Sequence, residues 1–200
     1  SDQYGLNDFA RVDLTGIFDV EIQQGDTYAI ALDGPQKEKS RYSVSRTGET
    51  LTIDYRTNRK MFWDRDILDD EKVKIKITMP TLKELKAKGA GKINFSGFRE
   101  DDTEIELTGA MAADGDLEAR TLTIELTGAT VLELRGHGNF MEANATGASS
   151  LRAFNYEVNE AIIAARGVSS SKVNVSRKLT ITKDITSSGS HRGDAEVIEK

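Results

Sequence analysis

No cysteine occurs in the 200 residues, which excludes disulfides, thiolate nucleophiles and cysteine-built metal sites together. A chain without cysteine suits the cytoplasm and an oxidising compartment equally, so redox usage does not choose between them. Proline is scarce, 2 against 17 glycines, a profile of many tight turns rather than of disorder. No run approaches the roughly 18 apolar residues that a membrane-spanning helix needs. Positive charge is in deficit: 27 Lys and Arg stand against 33 Asp and Glu, for a net charge of -6. Nucleic acid demands a basic face, so it is excluded as an expected partner, and anionic lipid is not suggested either. The chain opens at Ser1 without an initiator Met. The expectation is a processed chain from which a targeting segment has been removed, with trimming for expression as the competing reading.

What the sequence does contain is a repeat. Lys88-Gly89-Ala90, Thr108-Gly109-Ala110, Thr127-Gly128-Ala129, Thr146-Gly147-Ala148 and Arg166-Gly167-Val168 place glycines at steps of 20, 19, 19 and 20. Two residues before each glycine stand Ala87, Leu107, Leu126, Ala145 and Ala165; four before stand Leu85, Ile105, Ile124, Ala143 and Ile163. A spacing of two puts these on one face of a strand, with polar residues such as Glu106, Glu125 and Asn144 on the other. Four after the glycine come Ile93, Ala113, Leu132, Leu151 and then Ser171, apolar in all but the last. A unit of ~20 residues cannot bury its apolar face alone and must stack on its neighbours. The predicted fold is all-β: a right-handed parallel β-helix, or solenoid, with an irregular N-terminal β segment as its cap. In that arrangement the glycine marks a corner, Thr108, Thr127 and Thr146 form a hydroxyl ladder, and Ala110, Ala129 and Ala148 form a column of small side chains.

The segment before the repeats alternates like half-buried strands. Ile17 to Ile22, Tyr28 to Leu32, Tyr42 to Ser45, Leu51 to Tyr55 and Val73 to Met79 are the clearest, and Thr47-Gly48-Glu49 reads as a hairpin turn. Helical turns are admitted only at Lys37 to Ser40 and Ile67 to Glu71. The chain is read as one domain over 1–200, divided into an N-terminal β segment (1–81), the repeats (82–193) and a charged end (194–200). Glu196, Glu199 and Lys200 suit an end whose strand edges must be kept from assembling.

Chemistry is less legible. The irregular stretch between Arg56 and Lys72 holds the only Trp, and Phe62, Trp63, Asp64 and Arg65 are the candidate ligand-binding residues. An aromatic pair beside polar groups suits a sugar ring or a protein hot spot, while the plainer reading has Phe62 and Trp63 folding back over the core. Trp63→Ala separates the two, by loss of binding or by loss of stability. Asp101-Asp102 and Asp114-Gly115-Asp116, with Glu104 and Glu118, are the best paired carboxylates for glycan cleavage, but Asp and Gly are also routine in turns. His137 reads as lying in a glycine-rich turn and His191 near the terminus, with no ligand spacing between them. Ser169, Ser170 and Ser171 read as a turn, since no nucleophile elbow surrounds them. No catalytic residue, metal or cofactor is expected.

Leu14-Thr15-Gly16-Ile17-Phe18-Asp19-Val20-Glu21-Ile22-Gln23-Gln24-Gly25, Thr50-Leu51-Thr52-Ile53, Val73 to Pro80 with Leu82, and the Gly-Ala repeats together resemble one family. It is the "putative auto-transporter adhesin" family with the head GIN domain, a domain of unknown function. The resemblance spans roughly Phe9 to Gly193, and the chain departs from it at His191 and in the charged stretch around Trp63. The resemblance implies a β-helical, secreted or cell-envelope protein of Bacteroidota type with no established activity. Three functions follow in order: binding or adhesion towards a glycan or an envelope or extracellular protein, a structural envelope scaffold, and an enzyme acting on polysaccharides. Fold alone does not choose among them.

Overall fold

Apolar and polar residues alternate along most of the chain, and the backbone follows that alternation. The computed structural model describes residues 1–56 and 73–200, and there the protein is all-β but for one helical turn, α1 (Gln36–Lys39). The strands are β1 (Asp2–Tyr4), β2 (Arg11–Gln24), β3 (Ala29–Asp33), β4 (Tyr42–Thr47), β5 (Thr50–Tyr55) and β6 (Lys74–Met79). They continue with β7 (Glu84–Ala145), β8 (Ser150–Ala165), β9 (Ser170–Lys183), β10 (Ser188–Arg192) and β11 (Glu196–Glu199). They belong to one sheet with the open order β1-β3-β6-β2-β7-β8-β9-β10.

The repeat spacing becomes strand register. Val131 faces Ser150 and Ser150 faces Ser170, both in parallel, so each step along the chain of 19 or 20 residues moves one strand across. β7 is a single 62-residue extended run that stacks on itself, as the Thr146 N–H to Leu126 carbonyl bond records at its end. The apolar positions two and four before each repeat glycine are all buried, none more than 2% exposed. Burying a Leu or Ile in such a row contributes about 1.5 to 3 kcal/mol, which is what fixes the register.

The parallel pairing begins before the repeats. Arg11–Gln23 of β2 pair in register with Glu84–Ser96, which sets Gly16 opposite Gly89 and adds one more glycine to the column. On its other edge β2 carries β5 along Arg11–Thr15 and β6 along Asp19–Gln24, again in parallel. The direction reverses only beyond these: β4 forms an antiparallel hairpin with β5 around Gly48-Glu49, β3 runs antiparallel to β6, and β1 antiparallel to β3. Lys39 of α1 is buried and donates to Asp2 at 2.6 Å, tying β1 down; that bond holds the Asp2 carboxyl below its ordinary pKa.

The hydroxyl ladder is displaced from its predicted place. Of the threonines beside the glycines, only Thr146 and Thr127 touch, at 3.4 Å. The better-bonded row lies one corner further in. Thr130 Oγ1 donates to Ser149 Oγ at 3.0 Å, Ser149 bonds the Thr146 carbonyl at 2.8 Å, and Ser169 and Ser187 bond the carbonyls of Ala145 and Ala165. The Ala145 and Ala165 carbonyls also accept from the Arg166 and Asp184 N–H groups, so Ser169 and Ser187 add a second bond to each. Ser169, Ser170 and Ser171 are accordingly not a surface turn: Ser170 opens β9, and Ser169 and Ser171 are buried.

The last strand step is shorter. Ser188 faces Ser170 and Glu196 faces Lys178, so the step falls to 18. Asp184 closes the turn before it, accepting from the N–H groups of Gly167 at 2.7 Å and Ser187 at 3.0 Å. Those bonds, the one from Gly167 foremost, hold its carboxyl below the usual range.

Candidate functional site

One irregularity interrupts the stack and shapes its surface. Ala153 of β8 faces Val173 of β9, but the next paired residues are Glu157 and Asn174, so Phe154, Asn155 and Tyr156 are extra on the β8 side. Such bulges re-aim side chains. Tyr156 turns inward, is fully buried, and donates from its hydroxyl to the Ala119 carbonyl at 3.3 Å. Burial pushes its pKa up to about 12, against a smaller opposing effect of that bond. Above it lies Gly138. A β-carbon there would stand 2.1 Å from the Ala119 oxygen and 2.8 Å from the Tyr156 hydroxyl, so the surface at this point is bare backbone.

That backbone is the floor of an open groove of about 540 Å³. Its rim carries Arg99, Asp101, Glu118, Arg120, His137 and Asn139. Glu118 lies between two of these, 3.5 Å from Arg99 Nε and 3.7 Å from His137 Nε2, and Arg120 approaches Asp101 at 3.7 Å. Alongside runs an amide row in which Asn159 donates to Asn139 at 2.9 Å and Ser176 to Asn159 at 3.1 Å. Glu100, at the edge, accepts from the Leu82 N–H at 2.9 Å; burial raises its pKa and that bond opposes the rise. Ion pairs this exposed contribute about 0 to 1 kcal/mol each, so the rim groups can exchange one another for a ligand at little cost. Chemically the groove is a set of guanidinium, carboxylate, imidazole and amide groups over a backbone floor, suited to hydrogen-bonding a polar molecule.

Of the residues singled out in sequence, Asp101, Glu118 and His137 line this groove, and the others fall elsewhere. Phe62, Trp63, Asp64 and Arg65, and the helical turn predicted at Ile67 to Glu71, lie outside the described residues. Asp114 and Asp116 do not sit in a turn; both lie in the extended run of β7, pointing outward on either side of the buried Gly115, whose Cβ position the Phe95 ring would obstruct. Asp114 is bound by the Arg135 guanidinium, which commits it to a surface ion pair. His137 is likewise on a strand and not in a turn. Along the register His137–Glu157–Asn174–Arg192 it is three strands from the neighbour of His191, roughly 14 Å at about 4.8 Å per strand. Among the described residues no three His, Asp or Glu side chains gather as a metal site.

Sequence reasoning missed Arg99, Arg120 and Tyr156, and named Glu118 only as a candidate carboxylate. Their signal was faint: Gly136-His137-Gly138 breaks the polar alternation, and the register between β7 and β8 slips from 19 to 20 between Glu133 and Arg135.

Comparison with known proteins gives the same picture of the fold. The profile of the family described as "Putative auto-transporter adhesin, head GIN domain" matches residues 8–193. No curated protein matches the chain. Among solved structures, "a putative adhesin" from Bacteroides fragilis NCTC 9343 superposes with a TM-score of 0.80 at 20% identity, covering 100% of this chain and 95% of that one. A "putative lipid binding protein" from Parabacteroides distasonis ATCC 8503 gives 0.66 at 16% identity, over 100% and 95%. "A putative adhesin" from Parabacteroides merdae ATCC 43184 gives 0.65 at 16%, over 100% and 92%. Among the described residues no helix is long and apolar enough to cross a membrane.

Proposed function

The chain belongs to the head GIN domain family of putative auto-transporter adhesins, and from that premise we propose that it is a non-enzymatic binding module acting outside the cytoplasm. Its strands close into the coils of a right-handed parallel β-helix, a reading supported by the parallel register at steps of 19 and 20 residues. The N-terminal antiparallel strands cap one end. The partner is a glycan or an envelope or extracellular protein. The observation that carries the reading is the groove over Gly138. Its charged groups are weakly paired to each other and exposed, and its floor is backbone, which is how a rigid scaffold presents hydrogen bonds to a polar ligand.

Catalysis fits this arrangement less well. Asp101 and Glu118 each face an arginine across the groove, and Glu100 is committed to the Leu82 N–H, so no carboxylate pair stands ready for acid and base roles. The test is a screen of the purified chain against a glycan array and envelope protein fractions, repeated with Arg99→Gln/Arg120→Gln. Binding that the double substitution abolishes, with unchanged unfolding, supports the groove. Turnover of any polysaccharide in the same screen defeats the non-enzymatic reading.

A further inference from the structure

A second surface lies on the outward face of β8, β9 and β10. Alternation there sends Ser150, Arg152 and Phe154 outward from β8, and Ser170, Lys172 and Asn174 from β9. Ser188, Ser190 and Arg192 follow from β10. The register aligns them as rows: Ser150 beside Ser170 and Ser188, Arg152 beside Lys172 and Ser190, and Asn174 beside Arg192. This grid holds hydroxyls, an amide, an aromatic ring and three cations against one carboxylate, Glu157 beside Asn174, in a chain whose net charge is -6. On β7, the next strand over, the same face turns acidic with Asp114, Asp116 and Glu133, and its cation, Arg135, is paired with Asp114 and Glu133.

Among the described residues Arg152, Lys172 and Arg192 make no ion pair. Two of them converge on one ring: the Arg192 guanidinium lies 4.2 Å from the Phe154 centroid and Lys172 Nζ 5.9 Å from it. Phe154 reaches that place because it belongs to the three-residue excursion of β8, and Asn174 Nδ2 holds the excursion by donating to the Phe154 carbonyl at 3.3 Å. Like charges gathered without an ion-paired counter-charge repel, and an anion between them removes that cost. Three strands and five residues give a patch roughly 10 Å by 13 Å, the footprint of a short oligosaccharide.

We propose that the β8–β10 face binds an acidic polysaccharide, with Arg152, Lys172 and Arg192 engaging its carboxylate or sulfate groups. The serines and Asn174 bond sugar hydroxyls, and Phe154 supplies the apolar platform at the edge of the site. A membrane of anionic lipid fits less well. Electrostatic membrane docking uses clusters of about four to eight basic residues beside an apolar wedge. Here there are three, and the exposed Ile17, Val168 and Ile185 belong to the glycine corner rather than to this grid. The site is distinct from the groove over Gly138 and does not depend on it.

The experiment is titration calorimetry of the full chain with oligogalacturonate, a sulfated dextran oligosaccharide, neutral dextran oligosaccharide, and vesicles of phosphatidylcholine with phosphatidylglycerol. Binding to an acidic oligosaccharide and not to neutral dextran is expected, weakening as salt rises. Lys172→Gln/Arg192→Gln should weaken it by about tenfold or more, the scale of one charge-assisted hydrogen bond. Arg99→Gln/Arg120→Gln should leave it unchanged, which separates this site from the groove. Phe154→Leu removes the ring from the outward face while keeping an apolar side chain, and should weaken binding without unfolding. Absence of binding to both acidic oligosaccharides, binding that the Lys172/Arg192 substitutions do not alter, or preferential binding to the vesicles would each overturn the proposal.

Discussion

Gly89 lies so close to Gly16 that a β-carbon on Gly89 would stand 2.0 Å from the Gly16 carbonyl oxygen. The obstacle is backbone on both sides, and Gly89 also has φ +128°, a conformation closed to other residues. Gly89→Ala is therefore expected to destabilise by on the order of 3 kcal/mol, read as a lower urea midpoint. Gly48, in the β4–β5 turn, has φ +59° and nothing within 4 Å of its Cβ position. Gly48→Ala should cost only about 1 to 2 kcal/mol, the left-handed penalty alone. Equal losses at the two sites would show that steric contact in the column is unimportant.

Ser171 occupies the position taken by Leu151, Leu132, Ala113 and Ile93 in other coils, and its hydroxyl is buried with no partner. Ser171→Ala should be neutral or stabilising by up to about 1 kcal/mol, since it removes an unsatisfied group. Ser149→Ala is expected to do the opposite, because it leaves the Thr146 carbonyl and the Thr130 hydroxyl without their bonds. Thermal melts of the two variants should move in opposite directions or, at the least, by clearly different amounts.

Alkaline stability should report two phenols, the buried Tyr156 and the half-buried Tyr42. Burial pushes Tyr156 and Tyr42 up to about 12, while the unfolded chain ionises near the ordinary phenol value of 10.0. Between these values the unfolded state has lost protons that the folded state retains, so stability is complete below about pH 10 and falls as pH rises towards 12. Urea unfolding from pH 9 to 11.5 should show the fall. Tyr156→Phe should flatten it, and ultraviolet titration of the folded protein should find late-ionising tyrosine.

Asp184 sets the opposite dependence at low pH. Its folded carboxyl is held below the ordinary value of 3.8, chiefly by the Gly167 N–H, so its contribution is present above that value and is lost as pH falls through the lowered one. Amide exchange in 188–199 should accelerate in that acid window. Asp184→Ala should show fast exchange there already at pH 6, and Asp184→Asn, which keeps an acceptor oxygen, should lie between. Identical exchange in Asp184→Ala and the parent chain would remove Asp184 as the clasp of the last coil.

Period and glycine spacing made the all-β character and the buried rows legible, because each apolar position repeats with the same neighbours. The stacking of β2 on β7 was not legible as such: Thr15-Gly16-Ile17 carries the corner glycine, but it is separated from Gly89 by the hairpin and by β6. Nor was the groove. Arg99 and Arg120 are ordinary surface residues in sequence, and they meet Glu118 and Asp101 only because one strand step is close to 19 residues, a coincidence of register rather than of local pattern. Phe154 and Tyr156 differ by two positions, as if on one face, yet one is half-exposed and the other buried; the excursion that separates them is set by pairing with β9, where the offset falls from 20 to 17, and not by local alternation.

The parallel register from β7 to β9 also makes length a quantised property. Duplicating one unit, such as 128–146, would add one strand step of about 4.8 Å and leave every outward row aligned with the one before. An insertion of a different size would turn apolar rows to solvent unless it left as a loop. The span of the repeat region can thus be altered in whole units without redesigning either outward surface.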